Sequence, residues 1–279
     1  MDRRDFLLLT TISGFLLFVA LLCLGILFVV NWRGFYHLLV TPLNIMSDSA
    51  LPKEIILRNY DCLIDYCSPF YRGGLTFPDF PSSVCALSHF AETKVLFSRL
   101  YLAVPCCFLL AAILTGFKVW EGQEKRKTAG RGRDIYRHSL PDELSRTLRL
   151  AAWLCFLFPA ACLLLFLADF HDAFYRMHHI FFRNNDWLFD AATDPVITIL
   201  PERYFLCCGV FIAVFLILAA VGLTILYRRL AAASPRGRVY RKEGRHKGRR
   251  RAGCRRKTSR RKFFAILQPL SQANVPRLP

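Results

Sequence analysis

Residues 6–30 read FLLLTTISGFLLFVALLCLGILFVV, 25 positions without a charge. A helix needs about 20 apolar residues to cross ~30 Å of hydrocarbon, so this stretch suffices as a transmembrane span. It is too long for the apolar region of a signal peptide, and NWRGFYH follows it without a small-residue cleavage site. Three more stretches match it. Leu100–Phe117 runs for 18 uncharged residues, Leu150–Ala168 for 19 and Tyr204–Tyr227 for 24. The sequence therefore predicts an all-α integral membrane protein with four transmembrane helices. Pro105 and Pro159 fall inside the second and third spans, where neighbouring helices can satisfy the freed carbonyls.

Working outward, the charges set the sides. The chain has 279 residues, 54% of them hydrophobic, yet a net charge of +18. The segment Lys118–Arg149 holds nine Lys/Arg against five acids, and Arg228–Pro279 holds 18 against the single Glu243, a tail of +17. By contrast, Asn31–Lys94 carries five bases and six acids, and Asp169–Arg203 three and six. Basic loops stay in the cytoplasm. Both termini and the middle loop are thus predicted inside, with the other two segments extracytoplasmic. The chain is expected to divide into a four-helix transmembrane domain, 1–227, which would carry the function, and a basic, disordered tail, 228–279.

The tail contains RKEGRHKGRRRAGCRRKTSRRK. Beside a membrane helix it reads as a segment held against anionic phospholipid, at ~1 kcal/mol per basic residue, rather than as a nucleic-acid site. Of the 11 cysteines, seven lie in the spans, where a thiol is a small apolar filler. Cys62, Cys67 and Cys85 are outside and allow one disulfide with one thiol left over. No CxxC pair and no internal repeat is present.

Function is expected in the two outer segments, where titratable groups gather beside the bilayer. In FHDAFYRMHHIFF (170–182), Phe170, Ala173, Phe174, Met177 and Phe181 share one helical face, opposite Asp172, Tyr175, Arg176 and His179. That pattern suits an interfacial helix. On it, His179 has Tyr175 one turn back and Asp172 two turns back, partners able to orient an imidazole. His171, His178 and His179 contain no i,i+4 pair, so a metal site is not expected. Beyond the helix, NND makes a turn, and Pro201 with Glu202 suits the start of a helix leading into span four.

The first outer segment contains NYDCLIDY (59–66), GLTFPDFPSS (74–83) and LSHFAETKVLFSRL (87–100), the last reading as a helix that continues into span two. His89 stands eleven positions before span two and His179 eleven after span three, both about 16 Å from their span edges at ~1.5 Å per residue. The two imidazoles therefore have the height to meet.

These stretches resemble the bacterial lipoprotein intramolecular transacylases. NY–L–Y, the L-x-x-P-x-F-x-x-S pattern and H-F-x-E-T-K are similar to that family's first outer region, where the last motif usually reads H-M-x-D-V-K; His89 and Lys94 match, while Glu92 and Thr93 replace the acidic and valine positions. The family's second region, F-H-x-I-F-F, N-x-x-W-L-F-D and L-P-E-x-F-F, is matched by His178–Phe182, Asn184–Asp190 and Leu200–Phe205. His178 is read in the place of the family's phenylalanine, which makes His179 the equivalent histidine. The likeness spans residues ~6–227.

The resemblance implies a chemistry. The substrate would be a diacylglyceryl-modified lipoprotein whose sn-2 acyl chain moves to the α-amino group of its own N-terminal cysteine, giving the lyso form. Ester-to-amide transfer needs no energy donor, and no cofactor is expected. The amine must be neutral to attack; its reference pKa is ~7.7–8.0, so an imidazole near ~6.5 is a suitable base. His89 and His179 are the expected catalytic pair, with Tyr60, Lys94 and Tyr175 as substrate-binding residues. The rival reading is a non-enzymatic membrane protein, a transporter subunit or pH sensor with structural outer histidines. The spans argue against transport, since none of the four apolar runs holds an ionisable side chain.

Overall fold

The computed structural model describes residues 3–128 and 140–233. These form nine helices in chain order: α1 (Arg3–Asn31), α2 (Arg33–Leu39), α3 (Ile45–Ser49), α4 (Lys53–Cys67), α5 (Val84–Thr128), α6 (Leu140–Ala168), α7 (Phe170–Phe181), α8 (Val196–Ile199) and α9 (Glu202–Ala233). No strand occurs among the described residues. The four predicted spans lie in α1, α5, α6 and α9, each long and apolar enough to cross a membrane. The helix α5 passes through Pro105 and α6 through Pro159 without interruption. The predicted tail from 234 onward, and Arg131, Arg133 and Arg137 of the basic middle loop, lie outside the described residues.

The bundle is held by α1 against α5 and α6, and by α6 against α9. Small residues let the backbones approach, as is usual where lipid supplies no hydrophobic drive between helices. A Cβ at Gly14 would stand 2.7 Å from Leu150 Cδ2, so α1 and α6 meet there only because that position has no side chain. Leu102 and Leu164 are 66% and 71% exposed on the outer faces of α5 and α6, positions that hydrocarbon makes favourable. Lys118, by contrast, is fully buried between the helices, with Nζ donating to Thr10 Oγ1 (3.2 Å) and Thr147 Oγ1 (3.3 Å).

At one end of the bundle the two outer segments close over each other. Their core is aromatic: the Tyr36 and Tyr60 rings stack at 3.7 Å, Tyr60 and Tyr204 hydroxyls share a hydrogen bond of 2.8 Å, and Tyr36 donates to the Ile199 carbonyl at 2.6 Å. Each buried phenol thus finds a polar partner, which is the condition for burying tyrosine cheaply. Asn59, also buried, donates to Asp79 Oδ2 at 2.7 Å and fixes the FPDF loop on α4, with Arg58 pairing the same carboxylate. An ion pair between Arg203 and Asp48 ties α9 to α3. Cys62, Cys67 and Cys85 are free thiols.

Candidate active site

The long helix α5 carries His89 into the middle of this outer assembly. Its apolar membrane segment begins only near Leu100, so the histidine is outside the hydrocarbon although on the same helix. His89 is 8% exposed and walled by rings: Phe182 at 4.6 Å, Phe189 at 5.5 Å and Phe90 at 5.7 Å between centroids. Its Nδ1 is buried and has no hydrogen-bond partner among the described residues. Leaving such an atom unpaired costs about 1–3 kcal/mol, which a purely structural histidine has no reason to bear. Burial, assisted by the charge of nearby His178 and opposed by Asp186, pushes the ring's pKa down to about 4. His89 is a neutral imidazole near pH 7.

The second element is α7. Asp169 caps it, its side chain accepting from the Asp172 amide at 3.2 Å. His171 reaches Glu202 on α9 at 2.7 Å, and Phe174 packs on Phe205 at 5.2 Å. These contacts turn the Phe170–Phe174–His178 edge inward. The result departs from the predicted pairing. His178 stands across from His89, ring centroids 6.0 Å apart, whereas His179 is exposed and packs on Tyr175 at 4.6 Å. The apolar face assigned to lipid also faces the site, so the histidine nearer that face is the one turned inward.

His178 is oriented from two sides. Its Nδ1 lies 2.9 Å from the Phe174 carbonyl oxygen, and its ring stacks on Trp187 at 4.5 Å and 25°. A carbonyl can only accept, so Nδ1 carries the hydrogen and, in the neutral ring, Nε2 keeps its lone pair. Burial also lowers the pKa of this imidazole, with the Phe174 bond opposing. Trp187 is itself fixed, Nε1 donating to the Asn184 carbonyl at 3.1 Å, while Asn184 donates to Glu92 Oε1 at 3.0 Å. The loop after α7 is thereby pinned to α5 just beyond His89.

Of the other predicted site residues, Tyr60 and Lys94 fall elsewhere, while Tyr175 borders the pair through Trp187. Tyr60 is 1% exposed and serves the tyrosine core. Lys94 donates to the Tyr71 carbonyl at 2.9 Å and sits 4.4 Å from the centre of the Tyr66 ring, bracing the loop after α4. Tyr175 is 41% exposed and packs on Trp187 at 5.1 Å. An open cleft of ≈ 600 Å³ lined by Arg58, Asp65, Tyr66 and Tyr71 lies along α4 and contains neither histidine.

Two neutral imidazoles facing each other in an aromatic enclosure, one with a fixed acceptor nitrogen, can carry a proton between groups of a substrate held beside them. The profile described as "Lipoprotein intramolecular transacylase Lit" matches residues 11–205. The chain belongs to the lipoprotein intramolecular transacylase family. It is similar in structure to the membrane integral lipoprotein intramolecular transacylase Lit of Bacillus cereus, at 25% identity and a TM-score of 0.69, over 83% of this chain and 98% of that one. Two further structures of the same B. cereus transacylase, in which one histidine is replaced by arginine or by alanine, align at 25% identity and a TM-score of 0.65 over 82% of this chain, and over 93% and 95% of theirs. No curated protein sequence gives a match. As a Lit-family protein it is an acyltransferase of the membrane with lipoproteins as substrates. The Lit motif F-H-x-I-F-F has its histidine two positions before the isoleucine; Ile180 makes that residue His178, in agreement with the ring geometry. Counted from Ile180, the motif histidine thus falls one position before His179.

Proposed function

We propose that this protein moves the sn-2 acyl chain of a diacylglyceryl lipoprotein onto the α-amino group of the same molecule's N-terminal cysteine, outside the cytoplasmic membrane, with His89 and His178 as its catalytic residues. The observation that carries the proposal is the His89–His178 pair, 6.0 Å apart and enclosed by Phe182, Phe189 and Trp187.

His178 Nε2, its lone pair held free by the Nδ1 bond, accepts the proton of the attacking amine. The amine nitrogen bonds to the ester carbonyl carbon, and the carbonyl electrons move to oxygen. When they return, the bond to the glycerol oxygen breaks, and that oxygen takes a proton from the imidazole pair. His89, whose Nδ1 has no protein partner, is placed to relay this proton or to steady the leaving oxygen. Both rings titrate low, so at pH 7 they are already in the accepting form. Donor and acceptor share one molecule, so the enzyme's task is to fold them together in a dry site, an effect worth up to ~7–11 kcal/mol. The basic tail supports an inside location against anionic phospholipid, remote from this chemistry.

Mass spectrometry of a lipoprotein's N-terminal peptide tests the reading. Cells with the protein should yield peptide carrying an N-acyl group and one remaining glyceryl ester; cells without it should not. Equal product in both would overturn the function.

A further inference from the structure

The turn that follows α4 sends one of two adjacent rings outward. Ser68 closes it: the Tyr71 amide donates to the Ser68 carbonyl at 3.2 Å, and the Phe70 amide to Ser68 Oγ at 3.3 Å. Tyr71 folds back over the loop, its hydroxyl donating to the Gly74 carbonyl at 3.4 Å. It lies where a side chain at Gly73 would have to stand, since a Cβ there would be 2.6 Å from Tyr71 Oη. Lys94 holds this residue from the α5 side, with Nζ 5.1 Å from the ring centre and donating to the Tyr71 carbonyl at 2.9 Å. Phe70 is left on the outside, 81% exposed.

A single exposed phenylalanine is ordinary on a protein surface and by itself says nothing. Here its height decides. Phe70 packs on Tyr101 at 6.3 Å between ring centres. Tyr101 is the second residue of the uncharged run that starts at Leu100, and its hydroxyl donates at 2.7 Å to Asn31 Oδ1, on the residue that ends α1. The two span ends therefore stand level, and Phe70 stands beside them. Lys94 and Tyr101 are seven residues apart and share a face of α5, so the loop descends that face from one to the other. At that height the chain borders the edge of the hydrocarbon, where aromatic rings collect. Val84 is 84% exposed at the start of the same helix, yet it lies about 24 Å along the helix from Leu100.

We infer that Phe70 is a membrane anchor of the outer assembly: the SPFYRG loop (68–73) inserts this ring among the acyl chains of the leaflet that α5 enters beside it. The occupant of the exposed face is lipid rather than a protein partner, because the loop continues the surface that the spans already present to hydrocarbon. The Phe70 and Tyr71 amides have partners within the turn, so the ring can enter without drawing those N–H groups unpaired into lipid. The same loop runs on to Phe77, which packs on Phe90 at 6.0 Å, and Phe90 lies 5.7 Å from His89. Phe70 thereby ties to the bilayer the segment that backs the histidine enclosure. The anchor is independent of the reaction assigned to the histidines.

The test is photocrosslinking to lipid. Full-length protein carrying p-benzoylphenylalanine in place of Phe70, Val84 or Leu102 is irradiated in nanodiscs of phosphatidylethanolamine and phosphatidylglycerol, and lipid adducts are read by intact mass. Leu102, 66% exposed within the uncharged run, reports the hydrocarbon, and Val84 reports the part of the assembly remote from it. Adducts in place of Phe70 are expected in yield comparable to those at Leu102, with only the unirradiated background at Val84. Background at Phe70 beside clear labelling at Leu102 overturns the anchor. So does equal labelling at all three positions, which marks contact without depth. Absence of adducts at Leu102 removes α5 from the bilayer, and the anchor with it. Without the probe, Phe70→Asp should lower the Tm in the same nanodiscs while Val84→Asp leaves it unchanged, because only the first places a carboxylate in hydrocarbon. Equal effects of the two substitutions overturn the insertion of Phe70.

Discussion

The Nδ1 atom of His178 lies 2.9 Å from the carbonyl oxygen of Phe174, one turn earlier in α7. This bond decides which ring nitrogen is basic. It points the Nε2 lone pair away from the helix backbone, while Trp187 stacked on the ring limits its rotation. His179, one position on, has Tyr175 and Trp187 as ring neighbours and is exposed. Adjacent residues on a helix differ by ~100°, and here that rotation separates an enclosed imidazole from a surface side chain.

The pH dependence follows from the buried rings. The pKa of His89 falls from 6.5 to about 4, mainly through burial, and that of His178 is lowered as well. The amine, with a reference pKa of ~7.7–8.0, is the group that titrates above them. Turnover of the lipopeptide should therefore climb with pH from 6.5 towards 8 and then level off. Stability has the same direction. Between about 4 and 6.5 the folded His89 binds fewer protons than the unfolded one, so stability rises with pH there and is lost on acidification. Thermal unfolding should show a Tm that falls between pH 7 and 4.5, and flatten in His89→Phe. A Tm that rises on acidification would contradict the burial of a neutral imidazole.

Glu92 is expected to act by positioning. It accepts from Asn184 at 3.0 Å, and Asn184 in turn holds the Trp187 indole at 3.1 Å. Glu92→Ala should free the loop and lower kcat by about 10- to 100-fold, the scale on which small misplacements act. Glu92→Gln still presents an amide oxygen to Asn184 and should recover most of the rate. Equal losses in the two variants would show that the carboxylate's charge, not its bond to Asn184, matters.

The sides of the membrane remain a matter of charge. A reporter fused after Lys127 or at the C-terminus should be cytoplasmic, and one inserted near Pro81 outside, because the tail carries +17 and the outer segments are near neutral or acidic. The helix α9 continues to Ala233, beyond the boundary expected at 227, so a tail truncation belongs after that residue. Such a truncation should leave turnover in isolated membranes intact. External protease cleaving the tail in intact cells would reverse the assignment of sides.

The spans are legible in the sequence because hydrocarbon imposes one simple demand, an uncharged run of sufficient length, and all four predicted runs lie in spanning helices. His89 is legible from its place in H-F-x-E-T-K. The choice between His178 and His179 is not decided by periodicity, because α7 uses one apolar face both beside the membrane and against His89. Motif register, counted from Ile180, favours His178. Tyr60 carries a phenol near the site in sequence, yet only the three-dimensional packing shows that Tyr36 and Tyr204 take it into the core.

The most direct test of the His89–His178 pair is the lyso-form yield of three variants at matched membrane abundance, read by mass spectrometry of the lipoprotein N-terminal peptide. His89→Ala and His178→Ala should each lower the rate of conversion by at least ~10²-fold, the lower bound for losing a general acid or base, while His179→Ala stays within a few-fold of wild type. A His179→Ala variant as inactive as His89→Ala, beside a His178→Ala variant that converts normally, would contradict the account.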